Sequence, residues 1–395
     1  MSKFELLAPA GDLEKLKMAV LYGANAVFIG GERYSLRSRA SNFTIDDIKE
    51  GVLFAHEHNA HVHVTCNIVM HESDIEGIRD YLIALDEAHV DAIIVSSPAI
   101  MKIAKEYTSL EIHASTQASI LNTEAMKFYE ELGVKRIVLA REASLEEIKL
   151  IREHTKLDLE VFIHGGMCMS YSGRCMLSNV LTNRDANRGG CAHSCRWKYD
   201  IFSDGNKLNN DDGYFAMGSK DLCAISAIPT LMDLNVQSFK IEGRMKSLHY
   251  IATVVKSYRM LIDEYEKTGK VSNLDFYAAE VKKGENRLTS TGFLFGNPTT
   301  KEQLFDMSTE VPTKEFVGIV LDYDNEKHLA IVEQRNYFLP NSKLELFGYN
   351  RDKVISIGQI FNKDFEALDA ARHPKEIIYM ECNEPLYPNE ILRLC

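Results

Sequence analysis

Short apolar runs alternate with amphipathic segments from the N-terminus to about residue 265, an order typical of strands that are each followed by a helix. The pattern predicts eight strands, at Phe4–Ala8, Ala26–Gly30, His61–Cys66, Asp91–Ser96, Glu111–Ala114, Arg136–Ala140, Leu159–His164 and Ser238–Ile241. This count predicts an α/β fold, the (β/α)8 TIM-type barrel. A doubly wound open sheet is the alternative, but no Gly-x-Gly-x-x-Gly turn follows the first strand to favour it.

The same pattern divides the chain into three parts. Residues 1–265 form the predicted barrel, and a Cys-rich insertion at 165–218 follows its seventh strand. Residues 266–312 look like a short helix and a Gly/Pro/Thr-rich connector, and residues 313–395 contain five or six β-rich runs. These runs predict a small antiparallel β-barrel or sandwich. The insertion starts at the carboxyl end of a barrel strand, the end at which barrel enzymes place their active sites.

Several predicted strands carry polar residues on one face and apolar residues on the other. The apolar face must pack on the helices, so the polar face should line the barrel lumen. Such a lumen predicts a polar ligand pocket, because buried polar groups need partners. The alternative is that these residues pair with one another, Lys240 with Glu242 among them. The catalytic candidates are His63, Asn67, His113, His164, Lys240 and Glu242.

Half of the eight cysteines lie in one window of the insertion, spaced Cys168-x6-Cys175-x15-Cys191-x3-Cys195. The N-terminus shows no secretory signal and no apolar stretch is long enough to span a membrane, so we expect a cytoplasmic chain. Thiols in that compartment stay reduced, and clustered thiols there bind metal more often than they form disulfides. Four thiolates suit zinc or an iron–sulfur cluster, and the spacing leaves both open.

Arginines collect near the ends of the predicted strands in a chain whose net charge is −12 at pH 7. The negative balance argues against nucleic-acid binding over the whole surface. Arginines on one face nevertheless predict an anionic substrate, and the single tryptophan can stack on an unpaired base. The alternative is a solvated surface with ordinary ion pairs. The substrate-binding candidates are Arg37, Arg39, Arg141, Arg174, Arg188, Arg196, Trp197 and Arg244.

Six segments, in order along essentially the whole chain, resemble those of the collagenase-like peptidases of unassigned catalytic type. They are Glu5-Leu-Leu-Ala-Pro-Ala-Gly11, Ala26-Val-Phe-Ile-Gly-Gly31, His164-Gly-Gly-Met-Cys-Met-Ser-Tyr-Ser-Gly-Arg-Cys175, Arg184-Asp-Ala-Asn-Arg-Gly-Gly-Cys191, Ser194-Cys-Arg-Trp-Lys-Tyr199 and Lys240-Ile-Glu-Gly-Arg-Met-Lys246. Within this family the chain is most similar to the bacterial prephenate-dependent tRNA uridine hydroxylases. These act at wobble position 34 of tRNA and produce 5-hydroxyuridine.

The resemblance implies a 4Fe–4S cluster with Cys168, Cys175, Cys191 and Cys195 as its ligands, and Cys223 is an alternative fourth ligand. It also implies prephenate as a co-substrate in place of molecular oxygen, and the anticodon region of tRNA as the partner. A homo-oligomer, or a hetero-oligomer with a paralogous chain, is a further expectation. Zinc is the alternative metal.

Two other function classes compete with RNA hydroxylation. The family name predicts a peptidase, but in His56-Glu57-His58-Asn59-Ala60 an alanine occupies the place of the second histidine of a zinc-protease helix. The chain also lacks a Gly-x-Ser-x-Gly elbow for a serine nucleophile. An RNA-binding protein with a structural metal is the other alternative, and it would leave the polar lumen without a purpose.

Overall fold

The computed structural model describes residues 2–36, 42–209, 214–284, 287–304 and 316–395. Eight parallel strands form a closed barrel, because β8 pairs with both β7 and β1. They are β1 (Glu5–Pro9), β2 (Ala26–Gly30), β3 (His61–Cys66), β4 (Ala92–Val95), β5 (Glu111–Ala114), β6 (Arg136–Val138), β7 (Asp158–Gly165) and β8 (Ser238–Ile241). The predicted barrel is confirmed, and the ends of the predicted strands differ from those observed by two residues at most.

Helices follow the strands and cover the outside of the barrel, because each presents an apolar stripe to it. Two further helices belong to the insertion (α7) and the connector (α10). The ten are α1 (Leu13–Leu21), α2 (Ile45–Glu57), α3 (Ile78–Glu87), α4 (Pro98–Tyr107), α5 (Thr123–Glu131), α6 (Leu145–His154), α7 (Leu177–Thr182), α8 (Ile228–Asp233), α9 (Leu248–Thr268) and α10 (Leu274–Gly284). Among the described residues, none of the helices combines the length and the apolar character needed to cross a bilayer.

The barrel sheet continues at the end of β7 through two short strands. Asp221–Cys223 runs antiparallel to the end of β7, with Leu222 opposite Gly165. Thr289–Ser290 of the connector then runs parallel to that short strand. The end of the insertion and the connector are therefore both fixed beside the carboxyl end of β7.

The C-terminal domain is one eight-stranded antiparallel sheet, in the order β12-β11-β16-β9-β10-β15-β13-β14. Its strands are β9 (Phe316–Asp324), β10 (Leu329–Gln334), β11 (Lys343–Phe347), β12 (Asp352–Ser356), β13 (Ile360–Phe361), β14 (Ala367–Leu368), β15 (Ile377–Glu381) and β16 (Ile391–Leu394). The sheet encloses a small core of its own. The sequence pattern misses β13 and β14, which have only two residues each, and β16.

Arg393 of β16 joins this domain to the barrel. Its side chain is fully buried and its guanidinium lies 3.7 Å from the centre of the Phe347 ring. Its Nη1 donates to Glu280 on α10 at 2.6 Å, and its Nη2 donates to Thr253 on α9 at 2.6 Å. The outer face of α9 is therefore covered by the second domain.

Candidate active site at the mouth of the barrel

The lower lumen is filled by ion pairs. Lys240 Nζ donates to Glu160 Oε1 at 2.8 Å, and Arg136 Nη1 lies 3.5 Å from Glu160 Oε2. Arg136 Nη1 also donates to Glu5 Oε1 at 2.6 Å. The two positive and two negative charges of this group balance, as buried charges require. Lys240 therefore pairs with Glu160, and not with Glu242 as the alternative interpretation of the lumen supposed.

The two buried carboxyl groups stay ionised. Burial alone would raise the pKa of Glu160, but Lys240 and Arg136 outweigh it and hold that pKa below its ordinary value. Arg136 does the same for the pKa of Glu5, again against the effect of burial. The Lys240 ammonium also lies 4.5 Å from the ring centre of Phe28, so the charged layer has an aromatic neighbour. This layer forms the floor of the open part of the barrel.

His63 and His113 meet edge to face in the lumen, with ring centres 4.9 Å apart. His113 Nε2 lies 2.8 Å from Glu111 Oε1. Within the described ranges, the Nδ1 atoms of both histidines are buried without a hydrogen-bond partner. Unpartnered buried nitrogens are typical of places where water or a polar ligand binds. Both residues thus lie where the strand alternation predicts.

The rim above this floor is hydrogen-bonded across strands. Asn67 Nδ2 donates to Ser115 Oγ at 3.2 Å, and Asn67 Oδ1 accepts from the backbone N–H of Leu36 at 3.3 Å. Arg244 is buried, and its guanidinium donates to Ser35 Oγ and to the Leu36 carbonyl. Arg244 therefore fixes the loop after β2, and its predicted contact with substrate stays a prediction.

His164 does not line the lumen, contrary to the prediction. The register between β7 and β8 slips by one residue, so that Phe162 pairs with Lys240 but His164 pairs with Ile241. Such a bulge reverses the side on which the following side chain lies. His164 Nδ1 lies 3.3 Å from the hydroxyl of Tyr258 on α9. The side chain packs between the barrel wall and that helix.

Three buried histidines make the protein sensitive to acid. Burial lowers the pKa of His164 and that of His249 from 6.5 to about 3, and it lowers the pKa of His63 well below 6.5. As the pH falls, these histidines take up protons in the unfolded chain before they do so in the folded chain. Their contribution to the free energy of unfolding is therefore fully present above pH 6.5 and is lost as the pH falls below that value. Each histidine should reduce the free energy of unfolding by about 1.4 kcal/mol per pH unit below that value.

Urea unfolding at a series of pH values between neutral and about pH 5 checks this expectation. His164→Phe should reduce the slope, whereas the same replacement at the exposed His71 should leave it unchanged. A free energy of unfolding that does not vary below pH 6.5 would contradict the buried, neutral state of these rings.

Arg141 stands between the lumen and the cysteines. Its guanidinium lies 3.8 Å from the ring centre of Phe162, and Nη2 lies 3.5 Å from Glu242 Oε2. Nη1 donates to the carbonyl of Gly166. Its positive charge lowers the pKa of Cys168 against the larger, opposite effect of burial. Arg141 and Glu242 therefore lie at the mouth, beside the first cysteine of the insertion.

The four cysteines of the insertion lie within electrostatic range of one another. No disulfide joins any of the eight cysteines, each of which lies in the described part. Burial and the neighbouring thiols of Cys191 and Cys175 raise the pKa of Cys168. Burial and the other three thiols likewise raise the pKa of Cys195. Mutual influence on ionisation requires that the sulfur atoms lie near one another.

The described residues nevertheless contain no group of three or more His, Cys, Asp or Glu side chains that could hold a single metal ion. Cys168 keeps solvent-exposed surface although many protein atoms surround its sulfur, Cys191 is exposed, and Cys175 and Cys195 are partly buried. The donors are thus of the kind that iron–sulfur clusters use, but they are not arranged around one point. This geometry differs from that of a tetrahedral zinc site.

Two of the predicted substrate arginines hold the insertion in place. Arg188 forms a two-pronged ion pair with Asp74, at 2.6 and 3.2 Å, and it also donates to the carbonyl of Val69. Arg174 Nε donates to Ser119 Oγ at 3.1 Å and remains at an exposed position. Arg188 therefore anchors the cysteine segment to the loop after β3, and its predicted contact with substrate stays a prediction.

Arg196 belongs to a charged cluster around Asp221. The carboxylate of Asp221 lies 3.2 Å from Arg196 Nη2, 3.7 Å from Arg287 Nη1 and 4.0 Å from Lys246 Nζ. The sequence pattern misses Asp221 and Arg287, because only the added strands bring them to the mouth. Lys246, just beyond β8, is the one residue around Asp221, apart from Arg196, whose position in the sequence indicates that it lies near the mouth.

Aromatic side chains are exposed on the insertion. Trp197 is 45% exposed and Tyr171 is 53% exposed, although large aromatic side chains are usually buried.

Two of the predicted substrate-binding arginines, Arg37 and Arg39, lie outside the described residues.

The fold and the site define a (β/α)8-barrel protein with thiols and Arg141 near the carboxyl end of its strands. A family model described as "Peptidase family U32" matches residues 11–304, and one described as "Peptidase family U32 C-terminal domain" matches residues 312–393. The chain therefore belongs to peptidase family U32.

Relatives with different names share this family. The chain is 46% identical over 400 residues to "tRNA hydroxylation protein P1" of Bacillus subtilis, covering 99% of this chain and 94% of the relative. It is 38% identical over 261 residues to "23S rRNA 5-hydroxycytidine C2501 synthase" of Escherichia coli, covering 66% of this chain and 39% of that protein. It is 36% identical over 278 residues to "Collagenase" of Porphyromonas gingivalis, covering 67% of each chain.

Proposed function

We propose that this protein hydroxylates the wobble uridine 34 of tRNA to 5-hydroxyuridine, with prephenate as co-substrate and a 4Fe–4S cluster. The observation that carries the proposal is the convergence of four thiols, Arg141 and a polar lumen at one barrel mouth. Relatives named for tRNA hydroxylation and for 5-hydroxycytidine synthesis in ribosomal RNA support hydroxylation of an RNA base.

Cys168, Cys175, Cys191 and Cys195 are the residues that would hold the cluster. Four thiolates around one zinc ion lie about 3.8 Å apart, the edge of a tetrahedron with bonds of about 2.3 Å. In a four-iron cluster each thiolate binds a different iron, so the sulfur atoms lie farther apart. Four neighbouring thiols are donors of the kind that such a cluster uses. When bound, such a cluster supplies one-electron chemistry or an iron site for an oxygen donor.

The mouth is suited to an RNA base that is no longer stacked on its neighbours. A base must be exposed before its ring can be modified, and the unpaired anticodon loop makes this step inexpensive in free energy. The exposed rings of Trp197 and Tyr171 offer faces on which neighbouring bases can stack, and Arg174 can contact the backbone. The unpartnered nitrogens of His63 and His113 offer hydrogen bonds below the mouth.

Prephenate is a dicarboxylate, and the mouth supplies cations for it. Arg141 donates to the carbonyl of Gly166 and lies 3.5 Å from Glu242, and its Nε atom is buried without a hydrogen-bond partner in the described ranges. A second carboxylate would need a second cation nearby.

Association with another copy of this chain or with a paralogous chain stays a prediction.

Peptidase activity is the second candidate, favoured by the name of the Porphyromonas gingivalis relative. A cysteine nucleophile needs a histidine base within hydrogen-bond reach. His164, which precedes Cys168 by four residues, instead contacts Tyr258 on the opposite side of the barrel wall. This orientation gives no support to His164 as the base of a Cys168 nucleophile.

Mass spectrometry of tRNA from a deletion strain tests the proposal. Nucleosides derived from 5-hydroxyuridine should disappear from the deletion strain and return when the wild-type chain is supplied. They should fail to return in a strain that cannot make prephenate. Nucleosides that persist in the deletion strain would remove the assignment, provided that no paralogous chain is present in it.

A further inference from the structure

Ser172 lies in the middle of the loop that carries the first two cysteines, and the barrel holds all three of its polar groups. Its backbone N–H donates to Glu142 Oε1 at 2.9 Å, and its Oγ accepts from the backbone N–H of Arg141 at 3.3 Å. Its carbonyl accepts from Ser119 Oγ. Arg141 and Glu142 follow β6, whereas Ser119 follows β5. Ser172 therefore joins the cysteine loop to the ends of two barrel strands.

The backbone around Ser172 forms a tight turn. The N–H of Arg174 donates to the carbonyl of Tyr171 at 3.0 Å, and Gly173 has a φ of +77°. A positive φ at the third position of a turn favours glycine. Space excludes a side chain as well, since a Cβ atom on Gly173 would collide with the carbonyl oxygen of Gln117. The turn therefore lies directly against the loop after β5.

The two barrel segments that hold the turn are also bonded to each other. Thr116 Oγ1 donates to the carbonyl of Leu139 at 3.3 Å, and the N–H of Ala140 donates to the carbonyl of Ile120 at 3.2 Å. Hydrogen bonds in a connected network stabilise one another. The turn thus lies on a support that the barrel itself fixes.

The loop is held a second time next to each of its two cysteines. Arg196 Nη2 donates at 3.3 Å to the carbonyl of Met167, the residue before Cys168. Asn187 Nδ2 donates to the carbonyl of Cys175 at 2.9 Å. The turn lies between these two points, so it determines the path of the chain from the first cysteine to the second.

We propose that Glu142 and Gly173 are positioning residues, which hold Cys168 and Cys175 at the barrel mouth before any metal binds. The nature of the metal centre, an iron–sulfur cluster, rests on the proposed function, whereas the positioning rests on the contacts of the turn alone. A loop that is ordered in advance lowers the entropic cost of binding. The turn therefore contributes to the retention of the metal centre although none of its side chains is a ligand.

Replacement of Glu142 separates the effect of the hydrogen bond from that of the charge. Glu142→Ala removes the acceptor of the Ser172 N–H, whereas Glu142→Gln keeps an oxygen there and removes only the charge. If position is what matters, Glu142→Gln should behave as the wild type does. Gly173→Ala should act like Glu142→Ala, because its methyl group displaces the turn from Gln117. Glu146→Ala is the matched control, since Glu146 is an exposed glutamate on α6.

Alkylation of the metal-free chain with iodoacetamide measures how firmly the loop holds the thiols when no cluster is bound. Mass spectrometry of the peptides gives the rate at each cysteine, and Cys395 in the C-terminal domain is the internal reference. Without its hydrogen bond to a carboxylate the loop should open more often, so Glu142→Ala should raise the rates at Cys168 and Cys175 about tenfold. The rate at Cys395 should not change. Unfolding in urea shows whether each variant is folded.

Reconstitution with iron and sulfide in the absence of oxygen tests the effect on the cluster. Glu142→Ala and Gly173→Ala should release iron to a chelator about tenfold faster than the wild type, whereas Glu142→Gln and Glu146→Ala should not. The EPR spectrum of the reduced cluster should change in the first two variants. Such a change reports the geometry of the ligands, which a loss of loop stability alone would leave as it is.

Faster alkylation and faster iron release in Glu142→Ala and Gly173→Ala, with Glu142→Gln like the wild type, support the positioning role. If Glu142→Gln behaves as Glu142→Ala does, the charge matters and the explanation by position is wrong. If the folded variants show wild-type rates in both measurements, the inference is overturned while the proposed function stands. A wild type that takes up no cluster contradicts the proposed function, and the alkylation rates alone then decide whether the turn positions the thiols.

Discussion

Cys168→Ala is expected to yield a colourless protein that restores no 5-hydroxyuridine in the deletion strain. The reason is that one iron of the proposed cluster would lose its thiolate, and clusters with three protein ligands are readily lost. The wild type purified without oxygen should be brown, bleach with dithionite, and contain close to four iron and four sulfide per chain, as a cluster of this type requires. Iron, sulfide and zinc analyses of both proteins provide the measurement.

Two further replacements give this experiment its controls. Cys395→Ala removes an exposed thiol of the C-terminal domain and should retain full colour. Cys223→Ala removes the alternative ligand, whose sulfur lies 4.0 Å from the hydroxyl of Tyr258, and should also retain it. A wild type with one zinc and no iron would overturn the cluster, as would full iron content in Cys168→Ala.

Lys240→Met is expected to lower the free energy of unfolding by about 3–5 kcal/mol, the usual cost of breaking a buried ion pair. Glu160 has no exposed side-chain surface and would keep its charge with only the longer 3.5 Å contact to Arg136. Equilibrium unfolding in urea measures the loss. The activities of Lys240→Met and the wild type are then compared under conditions in which both proteins are fully folded.

The double variant Glu160→Gln, Lys240→Met separates a structural role from a catalytic one. Removing both charges together should recover much of the lost stability, because no unpaired buried charge remains. Arg136 would keep its 2.6 Å hydrogen bond to Glu5. A single variant that is as stable as the wild type but inactive would instead place Lys240 in the chemistry.

The barrel is predictable from the sequence because its signals are local. Each strand is a short apolar run, and each helix between strands has its own apolar stripe, so neither depends on distant residues. The insertion after β7 is likewise visible as an interval that is too long for one helix. The two-residue strands β13 and β14 were missed because they are too short to show a period.

The details of the site depend on contacts that no local pattern contains. Strict alternation places His164 in the lumen, and one slip in register between β7 and β8 reverses its side. Lys240 pairs with Glu160 on the adjacent strand β7, 80 residues away in sequence, and not with Glu242, two residues along its own chain. Asp221 and Arg287 meet only through the two strands that extend the sheet.

The layer formed by Glu5, Arg136, Glu160 and Lys240 also has a consequence for the proposed reaction. Because this layer closes the barrel from below, both proposed reactants would have to use the same opening. A tRNA bound there would block that opening. If the proposal is correct, the small acid binds before the tRNA, and the product of the acid dissociates after it.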